Sequence, residues 1–381
     1  MQVFKISSQS DFNKLCADIR PHKIGQKIMS EKSKIHFFYI KDISSAAANI
    51  LKQDALRVGA ELITKESVIL GDKEPSKALL MATKEQISKL IIKEKKQDFK
   101  LRDLAKFLEK DFAKPEKVKI MGVLNLNNDS FNKQSRVDET DFEKRLLAML
   151  DEGADYIDIG AVSSRPGSRY CGKEEEFKRL NFALDLIYEK NYYERAIFSL
   201  DSFDEYCLEY ALNKGFKLIN DIQGLRNKNL AILAEKYKAK YCLMHMQNEP
   251  HNMQDNPCYD FILADIEAFF KEKLELLSSF GVDEILLDVG IGFGKSAEHN
   301  MLLIKHLEHF LHFQKPLLVG ASRKSVINAY YKSEVEQRLP GSLFLHLKAY
   351  ENGASIIRTH DVKEHKQLFA MAKAMKELAI K

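Results

Sequence analysis

The sequence predicts an α/β protein in which a (β/α)8 TIM barrel follows a small α/β or α+β domain. From residue 117 onward, short apolar runs alternate with longer amphipathic segments, eight of each over about 265 residues, and such barrels typically have about 250 residues. In addition, Gly153, Gly215 and Gly353 each follow an amphipathic segment and precede an apolar run. Glycine commonly ends a helix in this way.

The predicted barrel strands are short and rich in apolar residues, as expected for strands buried on both faces. They cover residues 120–126, 156–159, 197–200, 218–220, 241–244, 285–288, 317–320 and 356–359. The helices predicted to follow them cover residues 141–151, 177–190, 205–214, 230–237, 259–280, 297–310, 341–351 and 362–379. This alternation is typical of a parallel sheet.

Residues 1–112 have a less regular pattern and form a separate predicted domain of unknown role. Its predicted strands cover residues 3–6, 35–40 and 79–82, and its predicted helices cover residues 42–58, 83–94 and 97–111. Pro115 marks a linker, because proline disfavours helix in the residue before it. The barrel domain is predicted to cover residues 117–381. A second activity, a dimerisation element and a lid are all open interpretations of the first domain.

Composition restricts the class of protein. The chain has 381 residues, of which 45% are hydrophobic and 30% are charged, which is typical of a soluble globular protein. It contains no apolar run near the 20 or so residues that span a bilayer, and the net charge of +4 is too small to indicate nucleic acid. Its five cysteines show no CxxC spacing and indicate reduced thiols. We expect a cytoplasmic protein without a membrane or nucleic-acid partner.

The central stretch of the barrel sequence is residues 284–295. A predicted buried strand ends there at Asp288, and Gly290, Gly292 and Gly294 follow. A carboxylate followed by a loop without side chains suggests backbone in close contact with a flat or charged ligand. The simpler alternative is that Asp288 caps the next element. The Walker pattern would need a glycine at Val289, and the GxGxG spacing differs from the GxGxxG of dinucleotide-binding loops.

Every predicted barrel strand is followed by polar residues. The carboxyl ends of barrel strands carry the active site in enzymes of this fold. Any one of these residues could be a helix cap, but capping alone does not explain eight strand ends. These strand ends include Asn125, Asp158, Ser164, Asp201, Asn220, His245, Asp288, Ser322, Lys324, Arg358 and His360.

The residue types indicate two binding functions. Asp201, Asn220, Asp288 and Lys324 offer hydrogen-bond donors and acceptors suited to a planar, amide-rich heterocycle. A second group, Ser164, Arg165, Arg358 and His360, suits an anion such as a diphosphate. Asn125 offers an oxygen ligand for a Mg²⁺ ion that would bridge the diphosphate.

The chain resembles the dihydropteroate synthase family through an ordered set of motifs. MGVLNLNNDSF at 121–131 and DIGAVSSRPGS at 158–168 resemble that family's MGILNVTPDSF and DIGGESTRPGA. SLDS, LINDIQGL, LMHMQNEPHNMQ, ILLDVGIGFGK, LLVGASRKS, RLPGS and IIRTHDV follow in the same order. The resemblance covers about residues 117–381 and does not include the N-terminal domain.

This resemblance implies the condensation of 6-hydroxymethyl-7,8-dihydropterin diphosphate with p-aminobenzoate, with Mg²⁺ as cofactor, by a homodimer. By motif position, the implied catalytic residues are Asp201, Lys324 and Arg358. The implied pterin-binding residues are Asp201, Asn220, Met244, Asp288, Phe293, Gly320 and Lys324. The implied diphosphate-binding residues are Asn125, Ser164, Arg358 and His360, with Asn125 also at the metal. The implied p-aminobenzoate-binding residues are Phe131, Arg165, Pro166 and Ser322.

The first two loops depart from the family pattern. Thr-Pro is replaced by Asn127-Asn128, and Gly-Gly-Glu is replaced by residues 160–162, Gly-Ala-Val. The first loop continues with residues 132–135, Asn-Lys-Gln-Ser, in place of the usual Ser-Asp-Gly-Gly. Two alternatives therefore stay open: a pterin-binding paralogue without synthase activity, and a corrinoid-linked methyltetrahydrofolate methyltransferase.

Overall fold

A computed structural model describes residues 1–8, 10–126, 139–163 and 167–378. The chain divides into two compact units. One comprises Met1–Asp111 with Ala372–Lys381, and the other comprises Phe112–Met371. None of the described helices combines the length and apolar character needed to cross a bilayer.

The N-terminal unit is a three-stranded antiparallel sheet with helices. Its strands are β1 (Ile35–Ile43), β2 (Glu61–Thr64) and β3 (Ser76–Thr83), in the order β1-β3-β2. Its helices are α1 (Phe12–Ile19), α2 (Lys23–Ser30), α3 (Ser45–Val58), α4 (Lys84–Glu94) and α5 (Leu101–Leu108). The predicted strand at residues 3–6 is wrong. Val3 and Phe4 are 81% and 77% exposed, and a strand needs a partner to form. Three further short elements, β2, α1 and α2, were not predicted from the sequence.

The two faces of this sheet differ in burial. Leu80 on β3 is buried in the core of the unit, which also contains residues of α3, α4 and α5. The other face exposes apolar side chains, because Phe37 and Tyr39 of β1 are 64% and 51% exposed and Ile63 of β2 is 54% exposed. Alternation along each strand separates the two sets.

The second unit is a closed barrel of eight parallel strands, which confirms the predicted fold class. The barrel strands are β4 (Lys119–Asn125), β5 (Tyr156–Gly160), β6 (Ile197–Asp201), β7 (Leu218–Asp221), β8 (Lys240–Met244), β9 (Ile285–Asp288), β10 (Leu317–Val319) and β11 (Ile356–Thr359). They close in sequence order, with β11 paired to β4. The predicted strands agree with these bounds to within one residue at each end.

The helices of this unit follow the strands in turn. They are α6 (Glu139–Asp151), α7 (Lys173–Glu189), α8 (Glu205–Asn213), α9 (Asn229–Lys236), α10 (Ile262–Ser279), α11 (Ala297–Lys305), α12 (Ser325–Tyr330), α13 (Leu339–Glu351) and α14 (Val362–Glu377). The short α12 was not predicted. The helix predicted at 297–310 ends early, because α11 stops at Lys305 and a 3₁₀ helix, Leu307–Phe313, continues the chain.

The floor of the barrel is an apolar cluster that takes one residue from each strand. Side chains that meet from all eight strands of a closed barrel must lie inside it. Larger apolar groups pack between the strands and the surrounding helices. The floor residues are Met121, Tyr156, Ile197, Leu218, Cys242, Leu286, Leu318 and Ile356.

Two buried histidines connect the loops that follow β10 and β11. The Ala321 N–H donates to His346 Nε2 at 2.8 Å, and His346 Nδ1 lies 2.7 Å from His365 Nε2. His365 Nδ1 lies 2.6 Å from the Asp361 carbonyl oxygen. The amide can only donate and the carbonyl can only accept, so both imidazoles must be neutral, with the hydrogen on Nδ1. Burial lowers the pKa of His346 well below its usual value, and the neighbouring His365 acts in the same direction.

This chain of hydrogen bonds predicts a specific loss of stability. His346→Leu should lower the free energy of unfolding by about 1–3 kcal/mol, because it leaves the Ala321 N–H buried without an acceptor. Denaturant unfolding measures the change. Phe344→Leu, on the exposed side of the same helix, should change the stability by less than about 0.5 kcal/mol. Equal stabilities for both variants would contradict the role of the histidine pair.

Candidate functional site

The polar site is the layer of the barrel interior directly above the apolar floor. Side chains two residues apart on a strand point to the same face, so each floor residue is followed by a site residue. Ile356, for example, is followed by Arg358, and Leu286 is followed by Asp288. The residues two positions after the floor residues are Val123, Asp158, Ser199, Asn220, Met244, Asp288, Gly320 and Arg358.

Asp158 is the centre of this layer. Its Oδ2 accepts hydrogen bonds from Arg358 Nε at 2.6 Å and from Asn220 Nδ2 at 3.0 Å. Arg358 Nη2 also donates to Asp201 Oδ2 at 2.8 Å. Asp158 is completely buried, and its other oxygen, Oδ1, has no hydrogen-bond partner among the described residues. Four strands therefore meet in one network that still contains a buried acceptor for a ligand N–H group.

The charged groups of this network shift one another's pKa values. Burial raises the pKa of Asp201 to about 7, although the Arg358 guanidinium opposes the shift. Burial acts to lower the pKa of Arg358, but Asp158 and Asp201 outweigh it and hold that pKa above its usual value. Arg358 uses Nε and Nη2 for the two carboxylates, so the N–H groups of Nη1 remain for an anion.

Asp288 and Lys324 form the opposite side of the layer. Asp288 Oδ1 accepts the Gly290 N–H at 2.7 Å. The Lys324 ammonium donates to the Ile291 carbonyl oxygen and lies 4.4 Å from the centre of the Phe293 ring. Burial lowers the pKa of Lys324 to about 8, while Asp288 acts in the opposite direction.

A second lysine, Lys295, is buried beside this site. Its Nζ lies 3.0 Å from His245 Nδ1, 3.1 Å from the His245 carbonyl oxygen and 2.9 Å from the Phe293 carbonyl oxygen. Burial lowers the pKa of Lys295 to about 7 and that of His245 to about 2. His245 is therefore neutral at physiological pH, and its Nδ1 can accept a hydrogen bond from Lys295 Nζ. Lys295 ties two loops together and does not act as a phosphate-loop lysine.

The loop after β9, which contains Gly290, Gly292 and Gly294, borders the site and also lies close to the loop after β8. A Cβ at Gly290 would lie 2.0 Å from the His245 carbonyl oxygen, and one at Gly294 would lie 2.5 Å from the Gln247 carbonyl oxygen. Both glycines have positive φ, which other residues rarely adopt. These two glycines therefore allow the loop after β9 to pack on the loop after β8.

The side of the site near β4, β10 and β11 carries groups suited to an anion. His360 Nδ1 lies 3.0 Å from Ser322 Oγ, and His360 itself is exposed. At the end of β4, Asn125 Oδ1 lies 3.3 Å from the position that a Cβ of Gly160 would occupy, and the Asp201 Cβ lies 3.5 Å from the same position. The Asn125 oxygen and the Asp201 side chain therefore both lie next to Gly160.

Apolar residues and a cavity border the polar layer. Met244 and Phe293 belong to a buried apolar cluster with Ile222, Met246 and Met253. A cavity of about 460 Å³ opens beside Asp201. Its lining consists of Val162, Ser163, Ser168, Arg169, Tyr170, Asp201, Ser202, Phe203, Ile222, Gln223, Glu249, Pro250 and His251.

The structure brings most of the predicted site residues to one end of the barrel. Asp201, Asn220 and Arg358 share one network with Asp158, and Lys324 adjoins Asp288 and Phe293. Gly320 adjoins Arg358, since its added Cβ would lie 3.5 Å from the Arg358 Cβ. Four predicted residues lie outside the described part of the chain, namely Phe131, Ser164, Arg165 and Pro166.

Two residues of the site were not assigned from the sequence. Asp158 was noted at a strand end but was given no role, although the two-residue alternation from Tyr156 places it in the same layer as Asn220 and Asp288. Lys295 is the last residue of the stretch 284–295, which does not match the Walker pattern. Its contacts with His245 depend on the packing of two loops and have no local sequence signal.

The chain is similar to known proteins over both its barrel and its full length. Residues 121–360 match the family described as "Pterin binding enzyme". The bifunctional dihydropteroate synthase/dihydropteroate reductase of Helicobacter pylori is 40% identical over 94% of this chain and 95% of that protein. The dihydropteroate synthase of Haemophilus influenzae is 38% identical over 64% of this chain and 88% of that protein.

Solved structures give the same result for the barrel. The Yersinia pestis dihydropteroate synthase, in complex with a sulfonamide drug, is 35% identical, with a TM-score of 0.65 over 70% of this chain and 96% of that chain. The Xanthomonas albilineans dihydropteroate synthase with 4-aminobenzoic acid is 30% identical, with a TM-score of 0.64 over 69% and 95%. The chain therefore belongs to the dihydropteroate synthase family of pterin-binding enzymes.

Proposed function

We propose that the polar layer of the barrel is where this dihydropteroate synthase binds its pterin substrate. The enzyme condenses 6-hydroxymethyl-7,8-dihydropterin diphosphate with p-aminobenzoate to give 7,8-dihydropteroate and diphosphate in folate biosynthesis. The observation that supports the location best is the network of Asp158, Asn220, Asp201 and Arg358, with its buried acceptor at Asp158 Oδ1. A pterin edge presents ring N–H and amino donors that would satisfy such acceptors.

The proposed pterin contacts come from both sides of the layer. Asp201 and Asp288 accept from the pterin edge, Asn220 donates or accepts, and Lys324 donates to a ring oxygen or nitrogen. Met244 and Phe293 provide apolar contact with the faces of the ring, and Gly320 leaves room for it. Pockets of this kind combine apolar walls with a few fixed polar groups.

The proposed diphosphate site lies near Arg358. Its Nη1 N–H groups, His360 and the Ser164 hydroxyl are donors suited to phosphate oxygens, and guanidinium binds such groups in a bidentate manner. The Mg²⁺ cofactor is proposed at Asn125, whose amide oxygen, like the Asp201 side chain, lies next to Gly160. Oxygen ligands and substrate phosphates are the ligands that Mg²⁺ prefers. When bound, the ion would neutralise part of the charge on the diphosphate.

In the proposed mechanism the protein mainly positions the substrates and stabilises charge. The dihydropterin can carry a developing positive charge on its exocyclic methylene carbon as the C–O bond to diphosphate breaks. Arg358 stabilises the leaving group, and Asp201 and Lys324 orient the ring for attack by the arylamine. After it forms the new C–N bond, the amine releases a proton to water. Charge stabilisation and positioning supply the catalysis in such a site, so no strong base is required.

The p-aminobenzoate site is proposed at the rim of the barrel. Ser322 lies beside His360, and Phe131, Arg165 and Pro166 belong to the loops that match family motifs. The relatives are named as synthases, which favours the synthase over an inactive paralogue or a methyltransferase. We also propose that the enzyme acts as a cytoplasmic homodimer, as the family resemblance implies.

A second function, dihydropteroate reduction, is proposed for the full chain. The relative from H. pylori is named as a bifunctional enzyme, and its similarity covers 94% of this chain, whereas that of the H. influenzae synthase covers 64%. The reaction would add a hydride from a reduced nicotinamide or flavin and a proton from water across the C=N bond of the dihydropterin ring. The exposed face of the N-terminal sheet, with Phe37, Tyr39 and Ile63, offers apolar contact for a planar donor.

The assignment of the pterin site predicts a loss of activity in Asp288→Asn. The variant presents an amide in place of a carboxylate, and a charge-assisted hydrogen bond contributes about 1.5–3 kcal/mol. We expect kcat/KM for the pterin diphosphate to fall by about 10- to 150-fold. The control is Asp283→Asn, at an exposed carboxylate just before β9, which should keep the wild-type rate. Equal rates for both variants would remove Asp288 from the site.

The pKa of Lys324 predicts a decrease in activity at alkaline pH. Burial lowers that pKa to about 8, so the ammonium loses its charge as the pH rises through this value. The pH dependence of kcat/KM reports the pKa values of groups in the free enzyme. We therefore expect kcat/KM for the pterin diphosphate to fall about tenfold per pH unit above about pH 8. Lys324→Arg keeps a positive charge, so its remaining activity should show no such decrease. If both enzymes lost activity above about pH 8, the decrease would have to come from the titration of a group other than Lys324.

The reductase proposal predicts that the purified full chain converts 7,8-dihydropteroate to tetrahydropteroate. Mass spectrometry would detect the product with reduced nicotinamide, with and without added flavin. Phe37→Ser should lower this rate while leaving synthase activity unchanged. Ile69→Ser, at a position 78% exposed in the 3₁₀ segment Glu66–Leu70, is the control. Absence of product with every donor, in a preparation active as a synthase, would refute the second function.

A further inference from the structure

A histidine–carboxylate cluster lies on helices of the barrel unit and contains none of the residues assigned to the active site. Glu267 belongs to α10, and His309 and His312 belong to the 3₁₀ helix Leu307–Phe313. His309 Nε2 lies 3.3 Å from Glu267 Oε2, and His312 Nε2 lies 3.2 Å from Glu267 Oε1. The ligand atoms of the three residues all lie within 4.8 Å of one another.

The 3₁₀ conformation brings the two histidines together. A 3₁₀ helix has 3.0 residues per turn, so side chains three positions apart are eclipsed, whereas in an α-helix they are offset. Such helices seldom exceed about four residues, but this one has seven. The change from α-helix to 3₁₀ helix after Lys305 therefore places His309 and His312 on one side, facing Glu267.

The environment of the cluster is that of a partly enclosed ligand set. The side chains of His312, Glu267 and His309 are 2%, 15% and 22% exposed. Both carboxylate oxygens of Glu267 are in contact with an imidazole nitrogen, and Oε1 is also in contact with Lys271 Nζ. The carboxylate is therefore shared by the two imidazoles.

We propose that Glu267, His309 and His312 bind a Zn²⁺ ion. Zinc bonds to imidazole nitrogen and carboxylate oxygen are about 2.0–2.2 Å long, so neighbouring ligand atoms of a tetrahedral site lie about 3.3–3.5 Å apart. The two nitrogen–oxygen distances, 3.3 and 3.2 Å, match this separation. Two imidazoles favour zinc over Mg²⁺, which prefers oxygen ligands. Water would occupy the fourth position.

The role of this ion would be structural. It would join α10 to the 3₁₀ helix that leads into β10, and the loop after β10 carries Ser322 and Lys324. Lys271 is one group that competes with the metal for Glu267, because its Nζ lies 2.9 Å from Glu267 Oε1. Its side chain is 55% exposed, so it can move into solvent when a cation binds.

The test uses full-length protein treated with a chelator and then titrated with ZnSO₄ against a chromophoric chelator. We expect the wild-type chain to bind one Zn²⁺ ion, and Zn²⁺ to raise its melting temperature, because a ligand of the folded state stabilises that state. Glu267→Gln and His309→Asn should each raise the Kd for Zn²⁺ by more than about 100-fold, since even outer-shell substitutions cost about 10- to 100-fold. Lys271→Met should bind Zn²⁺ at least as tightly as wild type.

The controls separate this site from weak binding by surface imidazoles and from loss of folding. His22→Ala, at an exposed histidine of the N-terminal unit, should leave the Kd for Zn²⁺ unchanged. Synthase activity should persist in Glu267→Gln, which shows that this variant is folded. Wild-type affinity for Zn²⁺ in active Glu267→Gln and His309→Asn would overturn the proposal, as would a wild-type chain that binds no Zn²⁺. In either case the cluster would be a set of histidine–carboxylate hydrogen bonds.

Discussion

The ion pair between Asp158 and Arg358 is the interaction on which the site depends. It joins β5 to β11 across 200 positions of sequence, and both groups lie in the barrel interior, where an unpaired charge would cost several kcal/mol. Asn220 and Asp201 complete the network from β7 and β6. The strands that carry these four residues therefore have to be in the correct register before the whole network can form. Loss of one partner would leave a buried charge, so the network ties the geometry of the site to the closure of the barrel.

The floor beneath this network explains how the barrel tolerates so many polar groups. One apolar residue from each strand fills the interior, and burial of such side chains drives folding. The next inward position on each strand is then available for chemistry, because the floor already excludes water from below. Inward-facing positions of a strand are two residues apart. The first such position on each strand therefore forms the core layer, and the next one forms the binding layer. In this second layer Gly320 and Val123 are small and leave space in the site, while Met244 belongs to the apolar cluster that borders it.

The sequence was informative where a local pattern determines the structure. Apolar runs of four to six residues locate the barrel strands, and polar residues at their ends locate Asp201, Asn220, Asp288 and Lys324. Contacts between distant segments were not predictable. The pairing of Lys295 with His245 depends on two glycines that let the loops after β8 and β9 approach, and the 3₁₀ helix at 307–313 has an apolar pattern that an α-helix would also fit. In the N-terminal unit, β2 has four residues. A segment this short has too few alternating apolar and polar positions to distinguish a strand from a turn.

The balance of charge in the site argues for a divalent ion beside the diphosphate. Three carboxyl groups, those of Asp158, Asp201 and Asp288, share the site with three basic groups, those of Arg358, Lys324 and Lys295. Burial shifts the pKa values of Asp201 and Lys295 to about 7, so neither of these two groups is fully charged at neutral pH. Lys295 makes its contacts with His245 and Phe293, and Arg358 already contacts two carboxylates. A diphosphate adds more negative charge than the remaining N–H groups of Arg358 and a neutral histidine can offset in a partly buried space. An oxygen-bound Mg²⁺ at Asn125 would supply that missing charge without disturbing the Asp158–Arg358 pair.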